Sequence, residues 1–262
     1  MMRNLFSLEN KTILITGGSG HLGSAMSEGL AKHGATVIIA SKSKEKNCAF
    51  AAQLTEKYQT TCFGEYIDIS NLESVNTCIS STIKAFGKID VLVNNGYYGS
   101  SGKIEEMSEE IWKKGIDGSI NTVFNCVHAI LPHMMKQQSG NIINIASMYG
   151  TVSPDPSIYG DSGFNNPANY GAGKAAVIQF TKYLACHYGN KGIRANTISP
   201  GPFPSKTVQK NDEFIMNLSK KNPLGRIGSP SDLEGPIVFL ASDASSYMTG
   251  QNIVVDGGWT AW

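Results

Sequence analysis

Thr12-Ile-Leu-Ile-Thr16, running into Gly17-Gly-Ser-Gly-His-Leu-Gly23, is the stretch on which the fold of this chain turns. Five apolar or β-branched residues end in a glycine cluster, and a helical pattern follows from about His21 to His33. Gly18, Gly20 and Gly23 fall at GxGxxG spacing between a buried strand and a helix N-terminus. Glycine there permits a tight turn, close backbone approach to a pyrophosphate, and close helix–strand packing. The positive end of the helix then faces the anion. The spacing alone would also suit a glycine-rich turn with no ligand. The strand before it and the helix after it favour a phosphate cradle.

Outward from the cradle the same unit repeats. Strand-like runs occur at Thr36–Ala40, Cys62–Ile67, Val91–Asn94, Asn141–Ala146, Ile193–Ser199 and Asn252–Val255. Helix-length segments lie between them, near 44–58, 71–86, 108–136, 169–188 and 231–241. The last opens with Ser229 as N-cap, Pro230 at the first helical position and Asp232 in the first turn. Continuously apolar strands separated by helices predict a Rossmann-like, doubly wound parallel β-sheet with helices on both faces. No linker, charge block or repeat divides the chain, so residues 1–262 read as a single domain. A loop-rich stretch at about 150–169, with three prolines, reads as an insertion on the substrate side.

Composition narrows the partners. Lys and Arg number 22 against 21 Asp and Glu, a net charge of +1, which offers no field to attract nucleic acid or an anionic membrane. The N-terminal Met1–Lys11 lacks an apolar signal core, and no stretch approaches membrane-span length. The five cysteines (Cys48, Cys62, Cys78, Cys126, Cys186) are scattered without a CxxC pair. They read as buried apolar fillers in a cytoplasmic protein, with no metal site.

The chemistry-bearing pair is Tyr170-Gly-Ala-Gly-Lys174, which sets a phenol and an ammonium at i and i+4 on one helix face. An unperturbed phenol ionises near pH 10. A neighbouring cation is expected to bring that value towards working pH, as general acid–base catalysis requires. At the end of the second strand, Ala40-Ser41-Lys42-Ser43-Lys44 has no carboxylate to bind a ribose 2′-hydroxyl. A hydroxyl and ammonium suit a 2′-phosphate, which favours NADP(H) while leaving NAD(H) open.

With these motifs in order, the chain resembles the single-domain short-chain dehydrogenase/reductases over nearly its whole length. The matching pieces are Thr16–Gly23; Asp68-Ile69; Leu92-Val-Asn-Asn95; Ser147; Tyr170 with Lys174; Ser199-Pro-Gly201; and Val255-Asp-Gly-Gly258. The resemblance implies hydride transfer between a nicotinamide cofactor and an alcohol or carbonyl substrate. Tyr170 would be the acid/base, Lys174 would bind the nicotinamide ribose and lower the tyrosine pKa, and Ser147 would hydrogen-bond the reacting oxygen. Implied cofactor contacts are Gly17, Ser19, Gly20, His21 and Leu22; Ser41 and Lys42; Asp68 and Ile69; Asn95 and Gly96; Tyr170 and Lys174; and Pro200, Gly201 and Phe203. It also implies a homotetramer.

Three positions depart from the family pattern. His21 stands at the cradle's middle glycine. Gly96-Tyr97 replaces the usual Ala-Gly after Asn95. The helix position of the proton-relay Asn falls on Ser119, and Asn121 lies about 200° further round a regular helix. Two other classes fit part of the pattern. A sugar-nucleotide epimerase or dehydratase would share the Tyr–Lys chemistry but carry a substantial extra C-terminal region. A catalytically silent cofactor-binding regulator would not need Ser147, Tyr170 and Lys174 together. The expected substrates are small and polar, such as a sugar, sugar acid or polyol, and the 150–169 loop is expected to gate their pocket by ordering on ligand binding.

Overall fold

β1 (Thr12–Thr16) is buried at all five positions and pairs in parallel with β2 (Thr36–Ser41) on one side and β4 (Val91–Asn94) on the other. The computed structural model describes residues 4–100, 102–162 and 164–262. Around β1 it builds a seven-stranded parallel sheet in the order β3-β2-β1-β4-β5-β6-β7. The remaining strands are β3 (Cys62–Tyr66), β5 (Gly140–Ile145), β6 (Ile193–Pro200) and β7 (Asn252–Val255). The strand order reverses between β1 and β4, and there the carboxyl ends of the strands open a crevice. The doubly wound single domain expected from the sequence is the observed architecture.

Strand alternation sorts the core into two layers. Leu14, Ile38, Leu92 and Ile142 face one way and pack on α3 (Leu72–Phe86), α5 (Thr122–Gln137) and α6 (Ala168–Tyr188) through Val75, Ile130 and Val177. Ile13, Ile15, Val37 and Ile39 face the other way. They meet Met26 and Leu30 of α1 (His21–Lys32), Leu54 of α2 (Lys44–Tyr58) and Ile237 of α8 (Glu234–Ala241). The expected cap before α8 forms, with the Ser229 backbone N–H donating to the Asp232 carboxylate at 2.8 Å.

The structure departs from the sequence reading in three places. The single helix expected over 108–136 is broken into α4 (Glu109–Ile116), a π-helical turn at Asp117–Asn121, and α5. Gly118 in that turn lies directly against the Tyr98 carbonyl, a contact that periodicity along one segment does not register. The 150–169 segment is folded, not structureless. Its Ile158 is buried with Phe214 and Leu218 of α7 (Asp212–Lys221) and with Trp259. Tyr159 and Phe164 pack their rings on Phe214, and Asp155 pairs with Lys221 at 2.6 Å. Its apolar and aromatic side chains build a small core together with α7 and Trp259; Gly163 lies outside the described residues. Lastly, only Cys78 and Cys126 are buried fillers. Cys62 is half-buried, and Cys48 and Cys186 are exposed because they sit on the outer faces of α2 and α6.

Candidate active site

The crevice beyond β1, β4, β5 and β6 is a cleft of about 700 Å³, and the glycine turn forms one end of it. Gly17 has φ +64° and so occupies the left-handed region that glycine tolerates. Gly20 caps α1, whose first turn carries no acidic residue, so the positive helix end is open to an anion. The Asn95 amide donates to the Thr16 and Gly17 carbonyls at 3.0 and 3.1 Å and braces the turn from β4. His21 reaches across the cleft, its Nε2 3.1 Å from the Phe203 carbonyl.

The opposite end carries the titratable groups. Ser147 follows β5, and Tyr170 and Lys174 lie in the first two turns of α6. Two buried asparagines register that helix on the sheet. The Asn94 amide donates to the Asn144 side chain, and the Asn144 amide donates to the Thr181 hydroxyl, each at 2.8 Å. The Ser147 hydroxyl accepts from the Tyr149 backbone N–H at 3.2 Å and lies near enough to the Tyr170 phenol to favour its ionised form. The Lys174 ammonium is buried and donates to the Ile145 carbonyl at 2.8 Å.

The expected lowering of the tyrosine pKa is not what this geometry produces. Burial pushes Tyr170 above its ordinary value, against the opposing effect of the Ser147 hydroxyl. Burial also pulls Lys174 down to about 8. A dry pocket disfavours both charged forms, and the ammonium lies 5.7 Å from the centre of the Tyr170 ring.

Of the residues singled out in the sequence, Gly17, Gly20, His21, Leu22, Ser41, Lys42, Ile69, Asn95, Gly96, Ser147, Tyr170, Lys174, Pro200, Gly201 and Phe203 all line this one cleft. Ser19 and Asp68 do not. The Ser19 hydroxyl is buried and donates to Asn47 at 2.6 Å. Asp68 is held by Lys42 at 2.9 Å and by Ser70 at 2.6 Å. Ser119 is also turned away: it is buried against Gly173 of α6, and its hydroxyl donates to the Gly115 carbonyl at 2.8 Å. Asn121 bonds Asp117 and lines a separate groove with Tyr98 and Trp112. Sequence reasoning missed Ser43, Ile67, Tyr97, Tyr98, Ile145 and Ala146 as cleft residues. Only Tyr97 carried a signal, as a departure from the family pattern. Among the described residues no cluster of His, Cys, Asp or Glu could hold a metal ion, and no helix is long and apolar enough to cross a membrane.

The cradle, the open helix end and the apolar walls from Ile67, Ile69 and Ile145 fit an elongated dinucleotide. Comparison with known proteins agrees. A family model described as enoyl-(acyl carrier protein) reductase matches residues 19–260. The chain is 34% identical to a 3-oxoacyl-(acyl-carrier-protein) reductase of Chlamydia muridarum, over 96% of this chain and 98% of that protein. It is 36% identical to a sorbose reductase of Candida albicans, over 98% of this chain and 89% of the relative. Among solved structures, a gluconate 5-dehydrogenase from Burkholderia cenocepacia in complex with NADP and tartrate superposes with a TM-score of 0.90 at 29% identity. That match covers 99% of this chain and 98% of the other.

Proposed function

The chain belongs to the short-chain dehydrogenase/reductase family, and on that premise we propose that Tyr170, Lys174 and Ser147 are its catalytic residues and that it prefers NADP(H) for the reversible reduction of a small polyhydroxylated carbonyl compound. The protein is an NAD(P)-dependent oxidoreductase acting on an alcohol/carbonyl pair. Its relatives' names, reductases and a dehydrogenase, favour net hydride transfer over an epimerase, a dehydratase or a silent binder. The observation that carries the catalytic assignment is the convergence of Ser147, Tyr170 and Lys174 on the cleft that also holds the glycine cradle.

Bound nicotinamide would supply or accept the hydride. Gly17, Gly20 and the α1 N-terminus would hold the pyrophosphate, and Lys174 the ribose. The Ser147 hydroxyl positions the reacting oxygen. Tyr170 holds the exchangeable proton at its phenolic oxygen, giving it to a carbonyl in reduction and taking it from an alcohol in oxidation. The substrate class rests on the sorbose and gluconate enzymes among the relatives and on the hydroxyl-bearing aromatic Tyr97 lining the cleft. A panel of sugars, sugar acids, polyols, simple ketones and an acetoacetyl thioester, run with NADPH and NADH, tests it. Turnover of the thioester alone would reassign the substrate.

Support for NADP(H) comes from the end of β2. No carboxylate from β2 lines the cleft, and the Lys42 ammonium lies at its rim, where its partner Asp68 leaves it mostly exposed. Replacing Ser41 with Asp is expected to weaken NADPH binding about tenfold or more by like-charge repulsion and to improve NADH binding. Dissociation constants for both cofactors measure this. Tighter binding of NADH than NADPH by the wild-type protein would refute the preference.

The assembly we propose is a homotetramer. Val177, Ile178, Thr181 and Leu184 of α6 are buried within the chain itself and so are not available to a second copy. Outward aromatic surface remains at Phe124 of α5, 48% exposed with its ring 6.5 Å from that of Phe180, and at Tyr183 of α6, 49% exposed. Light scattering at micromolar concentration should return four chain masses, and a monomer mass would refute the proposal.

A further inference from the structure

Tyr97 covers the two groups on which the chemistry depends. Its ring centre lies 5.1 Å from that of Tyr170, the planes near-perpendicular at 79°. The Lys174 ammonium lies 5.4 Å from the centre of the Tyr97 ring. An ammonium has three N–H donors. Lys174 directs one to the Ile145 carbonyl, and among the described residues no carboxylate pairs with it. Much of the remaining compensation for this buried charge comes from the faces of Tyr97 and Tyr170.

The Tyr97 ring thus lies on one side of the ammonium whose free donors a ribose would take. We propose that Tyr97 is a positioning residue that occupies the ribose side of the Lys174–Tyr170 pair and is displaced when the cofactor enters, so that ring and ribose compete for one ammonium. The inference rests on the assignment of this cleft to a nicotinamide dinucleotide. Three observations support a movable ring. Tyr97 is 39% exposed, so it is not locked in the core. Its hydroxyl has no hydrogen-bond partner among the described residues. It follows Gly96, which brings no side chain to hold the ring, and the ring tip meets the side-chain-free Gly99. Burial, and then Tyr170, lift the Tyr97 phenol to about 12, so it stays neutral at working pH and presents a ring face instead of a second base.

The test is fluorescence titration of NADPH and NADH against wild type, Tyr97→Gly, Tyr97→Leu and Tyr97→Phe, with thermal melts as a check on folding. Losing the aromatic face should tighten the preferred cofactor about 3- to 10-fold in Tyr97→Gly and Tyr97→Leu, the range of a partly desolvated cation–π contact. Tyr97→Leu keeps most of the volume and so guards against a folding failure of the glycine variant. Tyr97→Phe keeps the ring and should bind as wild type does. Unchanged or weaker binding in folded Tyr97→Leu overturns the proposal, as does tightening in Tyr97→Phe equal to that in Tyr97→Leu. Failure of the wild-type protein to bind either cofactor would instead remove the cofactor assignment on which the proposal stands.

Discussion

Tyr170→Phe is expected to lower turnover about 10²–10⁴-fold while leaving the cofactor dissociation constant nearly unchanged. The substitution removes one oxygen and keeps the ring. The packing against Tyr97 at 5.1 Å therefore survives, and so does the placement of Lys174. Neither neighbouring hydroxyl can take over the proton, because burial holds Tyr97 neutral and the Ser147 hydroxyl does not ionise near working pH. The pH profile supplies a second signature. Burial raises Tyr170 above its ordinary value and pulls Lys174 down to about 8, so the first proton lost as pH rises is the ammonium's and the phenol keeps its own. The acid needed for carbonyl reduction is therefore in place through neutral pH, and the base needed for alcohol oxidation forms only above the ordinary tyrosine range near about 10. The oxidation rate should still be climbing above about pH 10, and the reduction rate should not fall until that range. Steady-state kinetics in both directions measure this. Near-normal turnover in Tyr170→Phe would end its catalytic assignment.

Gly118→Ala is expected to destabilise the fold by about 1–3 kcal/mol. Within a helical segment, replacing Gly by Ala ordinarily stabilises by roughly 1 kcal/mol. Here the sign reverses, because a Cβ at position 118 would fall on the Tyr98 carbonyl. The clash can be relieved only by moving the 95–100 loop or the π-helical turn. The loop places Asn95, Gly96, Tyr97 and Tyr98 in the cleft, and Tyr98 also bonds Asp117 of the turn. Cofactor affinity should thus fall together with the denaturant midpoint. A variant as stable as wild type, with unaltered cofactor affinity, would show that this contact does not hold the loop.

The fold was legible because its signals are local. The apolar runs of β1, β2 and β4 are long enough to be buried on both faces, and each is followed by a helix-period segment. GxGxxG acts within eight residues of chain, and Tyr170 and Lys174 share one helix face whatever surrounds the helix. The glycine turn and the Tyr170–Lys174 pair could therefore be read from order and spacing, while Ser147 and most other candidate positions rested on the family resemblance. The energetics of the site could not be read. Whether a lysine lowers or fails to lower a tyrosine pKa depends on burial and on the direction of the ammonium. Both are set by β5 and α6, which meet only in the folded chain. The direction of the Ser119 hydroxyl was undecided by sequence for the same reason, since the π-helical turn and the approach of Gly173 set it. The 150–169 segment became a folded platform because α7 and Trp259, 50 to 100 residues further on, supply the apolar surface it covers. Tyr97 was visible in the sequence only as an odd residue after Asn95. Tertiary structure alone set it over Lys174, because contacts between β4, β5 and α6 depend on through-space distance, and no linear pattern encodes that.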